Sequence, residues 1–352
     1  MDGVTKSSFW FSDGNTVIVA GRTAFKVHRG QLERHSEVFS DLFSLPQPAD
    51  QELIDGVPCV TLHDEPDDVL HLLRALYDGL YFEKSVAGNF PIISAVLRLS
   101  SKYLIEHLRQ RCLVHLEADW PSTLEAWDAR EKAAIDSNGT YSPRDTCAHP
   151  TIVIALAKQL DLRHLLPSAS YDLSRYGPRR IVSGAPLPTL GDTEQKKKGQ
   201  RGVVYLERDE LKAVLIGREA GQRFLSAFIE AELTNRPIAA QCGNRHHDAG
   251  RVCRESTYYV MLNVLRAVGG ITHGRDADPL FTLTQGVEML SRTDFTDGVR
   301  RCGLKICAAC KEDLTQCADK ARKHVWHLIP QWFGLEAAPG SPVVAGTLNS
   351  LD

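Results

Sequence analysis

The chain has 352 residues, of which 43% are hydrophobic and 24% charged, and its formal net charge is −3. That length accommodates two domains or one domain with a large extension, and the composition is that of an ordinary globular protein. So balanced a charge gives no electrostatic footprint for nucleic acid or an anionic membrane, so nucleic acid is not an expected partner and basic clusters have to be judged locally.

The opening residues, MDGVTKSSFWFSDGN, lack the basic start and apolar run of a signal peptide. No stretch of the sequence approaches the ~18 apolar residues of a membrane span. The expected setting is intracellular, cytoplasmic or nuclear. There the cysteines, nine in all, stay reduced, as free thiols or metal ligands rather than disulfides.

TVIVAGRTAFKVH reads as a strand from Thr16 to Ala20, a turn at Gly21-Arg22 and a second strand from Ala24 to Val27. In FKVHRGQLERHSEVFSDLF the period changes at His28-Arg29 from strand to helix, and Leu32, Phe39, Leu42 and Phe43 recur at helical spacing. Two short helices are expected, with Ser36 capping the second. VPCVTL supplies a third strand. DEPDDVLHLLRALYDGL follows as a helix, with Asp64 as its cap, Pro66 in its opening turn and Gly79 after its last. Residues 91–118 continue in helical period. A small sheet capped by helices makes this region an α+β module.

Phe25-Lys26-Val27-His28-Arg29, followed by Leu32, Ser36 and Phe39, resembles the BTB/POZ family, whose core carries a pattern of the type F-x-x-H-R-x-x-L-x-x-x-S-x-x-F. The resemblance covers residues 9–118. It is closest to the fungal BTB-domain proteins, through Phe11-Ser12-Asp13-Gly14-Asn15 at the start and IPQWFGL at 329–335. It implies a dimerisation or adaptor module, with a cullin-type ubiquitin-ligase scaffold as one version. About eight residues precede Phe9, so the extra helix and strand that long-form domains exchange between partners are not evident.

A catalytic His28 would need a reacting group and an orienting partner. No nucleophile elbow, H-E-x-x-H or P-loop occurs in the sequence, so His28 reads as a structural corner of the helical hairpin. The expected function is protein binding without turnover of a small molecule.

Residues 119–176 read as a helical extension, broken by a loop at 133–149. Asn138-Gly139-Thr140 meets the glycosylation pattern, which matters only in a secreted protein. Residues 177–203, with three prolines and Lys196-Lys197-Lys198, read as a flexible linker or loop. A mainly helical C-terminal region follows over 204–335, then a disordered tail over 336–352. The long amphipathic helix, or pair of helices, of the C-terminal region is expected to bury Leu211, Val214, Leu215, Leu225, Phe228 and Ile229. A last helix should dock through Val325, Trp326, Ile329 and Trp332, with Pro330 ending or kinking it.

The sharper chemistry lies in CGLKICAACKEDLTQC. Cys307 and Cys310 have the C-x-x-C spacing that lets two thiolates reach one ion, and Cys242 and Cys253 supply a second pair for a structural zinc site. Ten residues separate Cys242 from Cys253, so this half is not a tight motif, and Cys302, Cys317, His246 and His247 are rival ligands. The competing explanation is that these are small buried thiols of an apolar interior. A zinc-stabilised regulatory or nucleic-acid-binding protein is the alternative function.

Overall fold

The structure, a computed structural model, describes residues 3–45, 52–79, 87–187, 202–268, 278–296 and 301–335. Lys196-Lys197-Lys198 and the tail at 336–352 lie outside the described residues. Among those that are described, no helix is long and apolar enough to cross a membrane.

The β-branched and aromatic residues of the first third build a small curled sheet. Thr16–Ala20 (β2) and Thr23–Val27 (β3) form the expected antiparallel hairpin, in register from Thr16 opposite Val27 to Ala20 opposite Thr23. Thr5–Trp10 (β1) adds a parallel strand to β3, with an irregularity between Lys6 and Trp10. The sequence reading had no β1, because TKSSFW is polar at four of six positions and alternates poorly. After the helices Arg29–His35 (α1) and Glu37–Ser44 (α2), the strands Leu53–Ile54 (β4) and Val57–Leu62 (β5) complete the order β1-β3-β2-β5-β4. The curl brings the two ends of the sheet together: Lys6 of β1 pairs with Asp55 in the β4–β5 turn. Between them Val17, Val19 and Ala24 are buried under Trp10, Ile54 and Val57.

The other face of the sheet carries the main core. Ile18, Phe25, Val27, Leu32 and Phe39, all at most 1% exposed, pack with residues of Pro66–Tyr77 (α3), Phe90–Lys102 (α4) and Glu106–Asp119 (α5). Each such burial contributes on the order of 1.5–3 kcal/mol. Ser36 joins the hairpin to this layer: its Oγ accepts from the Phe39 N–H at 3.1 Å, capping α2, and donates to the Tyr103 carbonyl at 2.6 Å. Asp64 is not the cap of α3. Pro66 in the first turn sets the entry angle and makes Glu65 the cap residue, so Asp64 lies one position too early. Its carboxylate instead accepts from Lys102 Nζ at 2.7 Å and from the Tyr103 hydroxyl. The continuous period of 91–118 is two helices, parted where Leu104 adopts φ of 53°.

The rest of the chain is mostly helical, as an α+β fold with a helical C-terminal region requires. Leu124–Ala133 (α6), Pro143–Thr146 (α7), Pro150–Gln159 (α8) and Leu166–Ser174 (α9) extend the first layer. Pro178–Val182 (α10) is followed by a two-stranded ribbon of Ala185–Pro186 (β6) and Val203–Val204 (β7). Arg208–Phe228 (α11) leads into Arg245–Asp248 (α12), Arg251–Val268 (α13) and Pro279–Glu288 (α14). Phe295–Thr296 (β8), Arg301–Cys302 (β9) and the 25-residue Ala308–Trp332 (α15) close the order. Pro330 sits inside α15, which runs two residues past it because the only hydrogen bond it removes lies in the final turn.

Two junctions fix the C-terminal region to the first layer. In the apolar one, Val325, Ile329 and Phe333 of α15 pack with Leu124, Trp127, Tyr171 and Leu280. In the polar one, Asp172, 2% exposed, receives Arg130 at 2.7 Å as well as Arg144 and Arg175. Arg175 also reaches Glu131 at 2.7 Å and Asp278 at 3.0 Å. Three cations face three carboxylates, so the buried network is charge-balanced. Burial alone would raise the Asp172 carboxyl, but the Arg144, Arg175 and Arg130 guanidiniums outweigh this and hold it well below the usual carboxylate range.

Candidate functional site

His28 lies where three motifs meet. Its N–H donates to the Tyr77 hydroxyl at 2.9 Å, its Nδ1 faces the same hydroxyl at 3.1 Å, and its Nε2 stands 3.3 Å from Asp13 Oδ1. This pattern fits a ring protonated on Nε2, with Tyr77 donating to Nδ1. Phe11 stacks on Tyr77 at 4.9 Å between centroids. The D-G-N turn explains itself physically. A Cβ on Gly14 would stand 3.0 Å from the Val27 carbonyl oxygen and 2.8 Å from Lys26 Cγ, so only glycine lets the turn press on the end of β3. Asn15 Oδ1 then accepts from the Arg29 N–H at 2.8 Å, satisfying the start of α1. The His-Arg pair and the Phe11–Asn15 turn are two halves of one hinge between sheet and helices.

The second constellation is sulfur. The Sγ atoms of Cys242, Cys253, Cys307 and Cys310 all lie within 4.8 Å of one another. Cys242 stands 3.7 Å from Cys253 and 3.8 Å from Cys307. A disulfide would hold two sulfurs at about 2.05 Å, whereas four sulfurs bound to one ion at about 2.3 Å form a tetrahedron with edges of about 3.8 Å. These four residues could therefore hold a metal ion.

The long spacing of the first pair is closed by a reversal. After α12, Ala249 and Gly250 both take positive φ, and Asp248 accepts from the Val252 N–H at 3.1 Å to start α13. A Cβ on Gly250 would lie 2.6 Å from Ile238, so the turn needs glycine to fold onto the preceding loop. Cys253 thus sits in the first turn of α13, while Cys307 precedes α15 and Cys310 lies in its first turn. The N–H of Ala239 donates to Cys310 at 3.4 Å and that of Cys307 to Cys253 at 3.4 Å. Asn244 Nδ2 donates to Cys253 at 3.2 Å.

Burial pushes the Cys253 thiol up, and pushes Cys310 far up with help from the neighbouring thiols. Burial also disfavours the Cys307 thiolate, but the N–H groups of Cys310 and Gly243 together with the adjacent thiols outweigh it and bring Cys307 down to about 6. The cluster therefore contains one thiol that ionises readily and accepts from its neighbours. The rival ligands lie elsewhere. Cys302, His246 and His247 are exposed, and Cys317 is engaged by Glu232 at 3.1 Å and Arg236 at 3.4 Å.

Sequence reasoning missed the groups that support both constellations. Tyr77 and Asp13 around His28 are distant in sequence. Asn244 carried no local signal, since the sulfur it donates to, Cys253, lies nine residues on and is returned to it only by the reversal at Ala249-Gly250. Among the described residues these four cysteines are the one group of clustered metal-ligating side chains.

No curated protein matches the chain. BTB/POZ domains are protein-interaction modules, and the curled sheet with its helical cover is their α+β arrangement. The model of the BTB/POZ domain matches residues 11–119, from the Phe11 turn that holds His28 to the end of α5, and the chain carries that domain there.

Proposed function

We propose that the chain is a non-enzymatic adaptor that works through its BTB/POZ domain, associating with itself or holding another polypeptide. The observation that carries this reading is that, among the described residues, β1 is an edge strand paired only with β3, on a domain that matches this family. The Thr5 N–H donates inward to the Arg22 carbonyl at 2.8 Å, so strand alternation turns the Lys6 N–H outward, where a further strand can accept from it. The irregularity in β1 and the lysine on its edge are devices that restrict indiscriminate pairing. Because β1 pairs with β3 of its own chain, the reading is addition at this edge rather than exchange of the strand. A cullin-type scaffold is one class of polypeptide partner within it.

The Phe11-Ser12-Asp13-Gly14-Asn15 turn and the phrase at 329–335 support a place among fungal BTB-domain proteins. The reduced thiols support a cytoplasmic or nuclear setting. A structural zinc ion on Cys242, Cys253, Cys307 and Cys310 belongs to the same reading, since an all-sulfur tetrahedral set favours zinc.

Sedimentation velocity of the full chain tests self-association. The expected result is a concentration-dependent multiple of the 39.0 kDa chain that Lys6→Pro shifts toward monomer. A monomer at every concentration, for both proteins, contradicts self-association.

A further inference from the structure

Burial is distributed unevenly along the C-terminal region. Of residues 234–252, Cys242 has the only buried side chain, and from 302 to 309 no side chain is buried. Leu304 and Ile306 pack only half-buried against the helical core, so apolar contact offsets little of the conformational entropy of these segments. What they bury is sulfur: Cys242, Cys253 and Cys310 form a small cluster of their own, ringed by Ile238, Ala239 and Ile306. Three N–H groups, from Ala239, Cys307 and Asn244, are spent on sulfur acceptors. Such bonds are strong when the acceptor is a thiolate, and four adjacent thiolates repel one another unless a cation lies between them.

The other half of α15 is anchored without any of this. Val325, Ile329 and Phe333 are buried against Trp127 and Tyr171. Trp326 Nε1 donates to the Ser122 carbonyl at 3.2 Å, and Arg322 pairs with Asp128.

We propose that zinc is the folding switch of this one corner. With the ion bound, residues 234–253 and 302–310 close onto the starts of α13 and α15. Without it these two segments open, while the sheet and the docked half of α15 keep their structure. The inference rests on zinc as the occupant of the thiol cluster. Binding is ligand exchange without redox change: the thiols still protonated release their protons to solvent, zinc sheds its bound waters, and four zinc–sulfur bonds form. Arg245, His246, His247 and Lys305 stand exposed on this corner, so metal availability controls whether that surface is presented as an ordered whole.

The test uses the full chain. Zinc content is measured first, then cobalt(II) is substituted and its visible spectrum recorded. Hydrogen exchange is followed with zinc, after chelation, and after zinc is restored. The expected results are one zinc per chain, the sulfur-to-cobalt charge-transfer bands of a tetrahedral tetrathiolate, and exchange in 234–253 and 302–310 that rises by about tenfold or more on chelation. Exchange across 11–119 stays unchanged, and restored zinc reverses the effect. Cys302→Ser, outside the cluster, behaves as the parent, and Cys307→Ser loses the cobalt spectrum. Should Cys307→Ser fail to fold, the chelation series on the parent chain decides alone. A chain that takes up no zinc, or holds iron instead, overturns the zinc reading and the switch with it. Zinc at one per chain with unchanged exchange in both segments, or with an equal rise across 11–119, overturns the switch and leaves the zinc reading standing.

Discussion

The BTB/POZ region and the C-terminal corner around the thiols are held together by different physics. In the first, a continuous apolar layer runs from Ile18 and Phe25 through Leu32 and Phe39 into α3 and α4, and polar groups such as Ser36 serve to align elements already packed. In the second, the loop and the start of α15 bury little except cysteine. Apolar burial is non-directional and spread over many residues, so losing one contact weakens the whole layer moderately. Ligation is directional and concentrated, so losing one ligand removes most of what orders the segment. Between the two lies the ion network, which resembles the corner in being concentrated and the core in centring on a buried group, Asp172.

The largest effect is expected where charge is concentrated. Asp172→Asn leaves Arg130, Arg144 and Arg175 without the carboxylate they share and should cost about 3–5 kcal/mol, read from the denaturant midpoint. A loss below about 1 kcal/mol would mean that water already reaches the network. Leu32→Ala, at a fully buried position of the BTB core, should cost about 2–5 kcal/mol while metal content stays unchanged. A change in bound zinc in that variant would join the two regions that the comparison separates.

His149 gives the pH test. Burial, then the nearby Arg144 charge, pushes its imidazole down to about 4. The unfolded chain therefore takes up a proton first as the pH falls through its unperturbed value of about 6.5, and the folded chain follows near 4. This contribution is complete above about pH 6.5 and is lost as the pH drops from there to about 4, by at most about 3 kcal/mol. His149→Asn should flatten that part of the stability curve, and an unchanged slope would remove His149 as its source. The smallest effect is expected from Ser36→Ala, about 1 kcal/mol from the lost cap of α2, with the sheet intact.

Much of the first region was legible because its signals are local. The β2–β3 hairpin, the change of period at His28-Arg29 and the Ser36 cap depend on neighbours within a few residues. Strand β1 was not legible, since Ser7 and Ser8 carry no strand signal and the strand is set by its pairing with β3 at Thr5, Lys6 and Trp10 on either side of them. Asp64 was misread as a cap because sequence gave no view of Lys102 and Tyr103, the groups that draw its carboxylate away. For the cysteines, C-x-x-C was visible, but the reversal at Ala249-Gly250 that returns Cys253 to Cys242 depends on a close approach to Ile238. The ion network was invisible for the same reason: Asp172 and Asp278 meet at Arg175 only once α9 and α14 have packed.

Native mass spectrometry of the full chain before and after chelation tests the central claim, that an interaction platform stands independently of the thiol corner. The account predicts an assembly of more than one polypeptide that carries one zinc per 39.0 kDa chain and survives removal of the metal, only the mass of the ion disappearing. An assembly that falls apart as the zinc leaves would contradict it, and a lone chain throughout would contradict self-association.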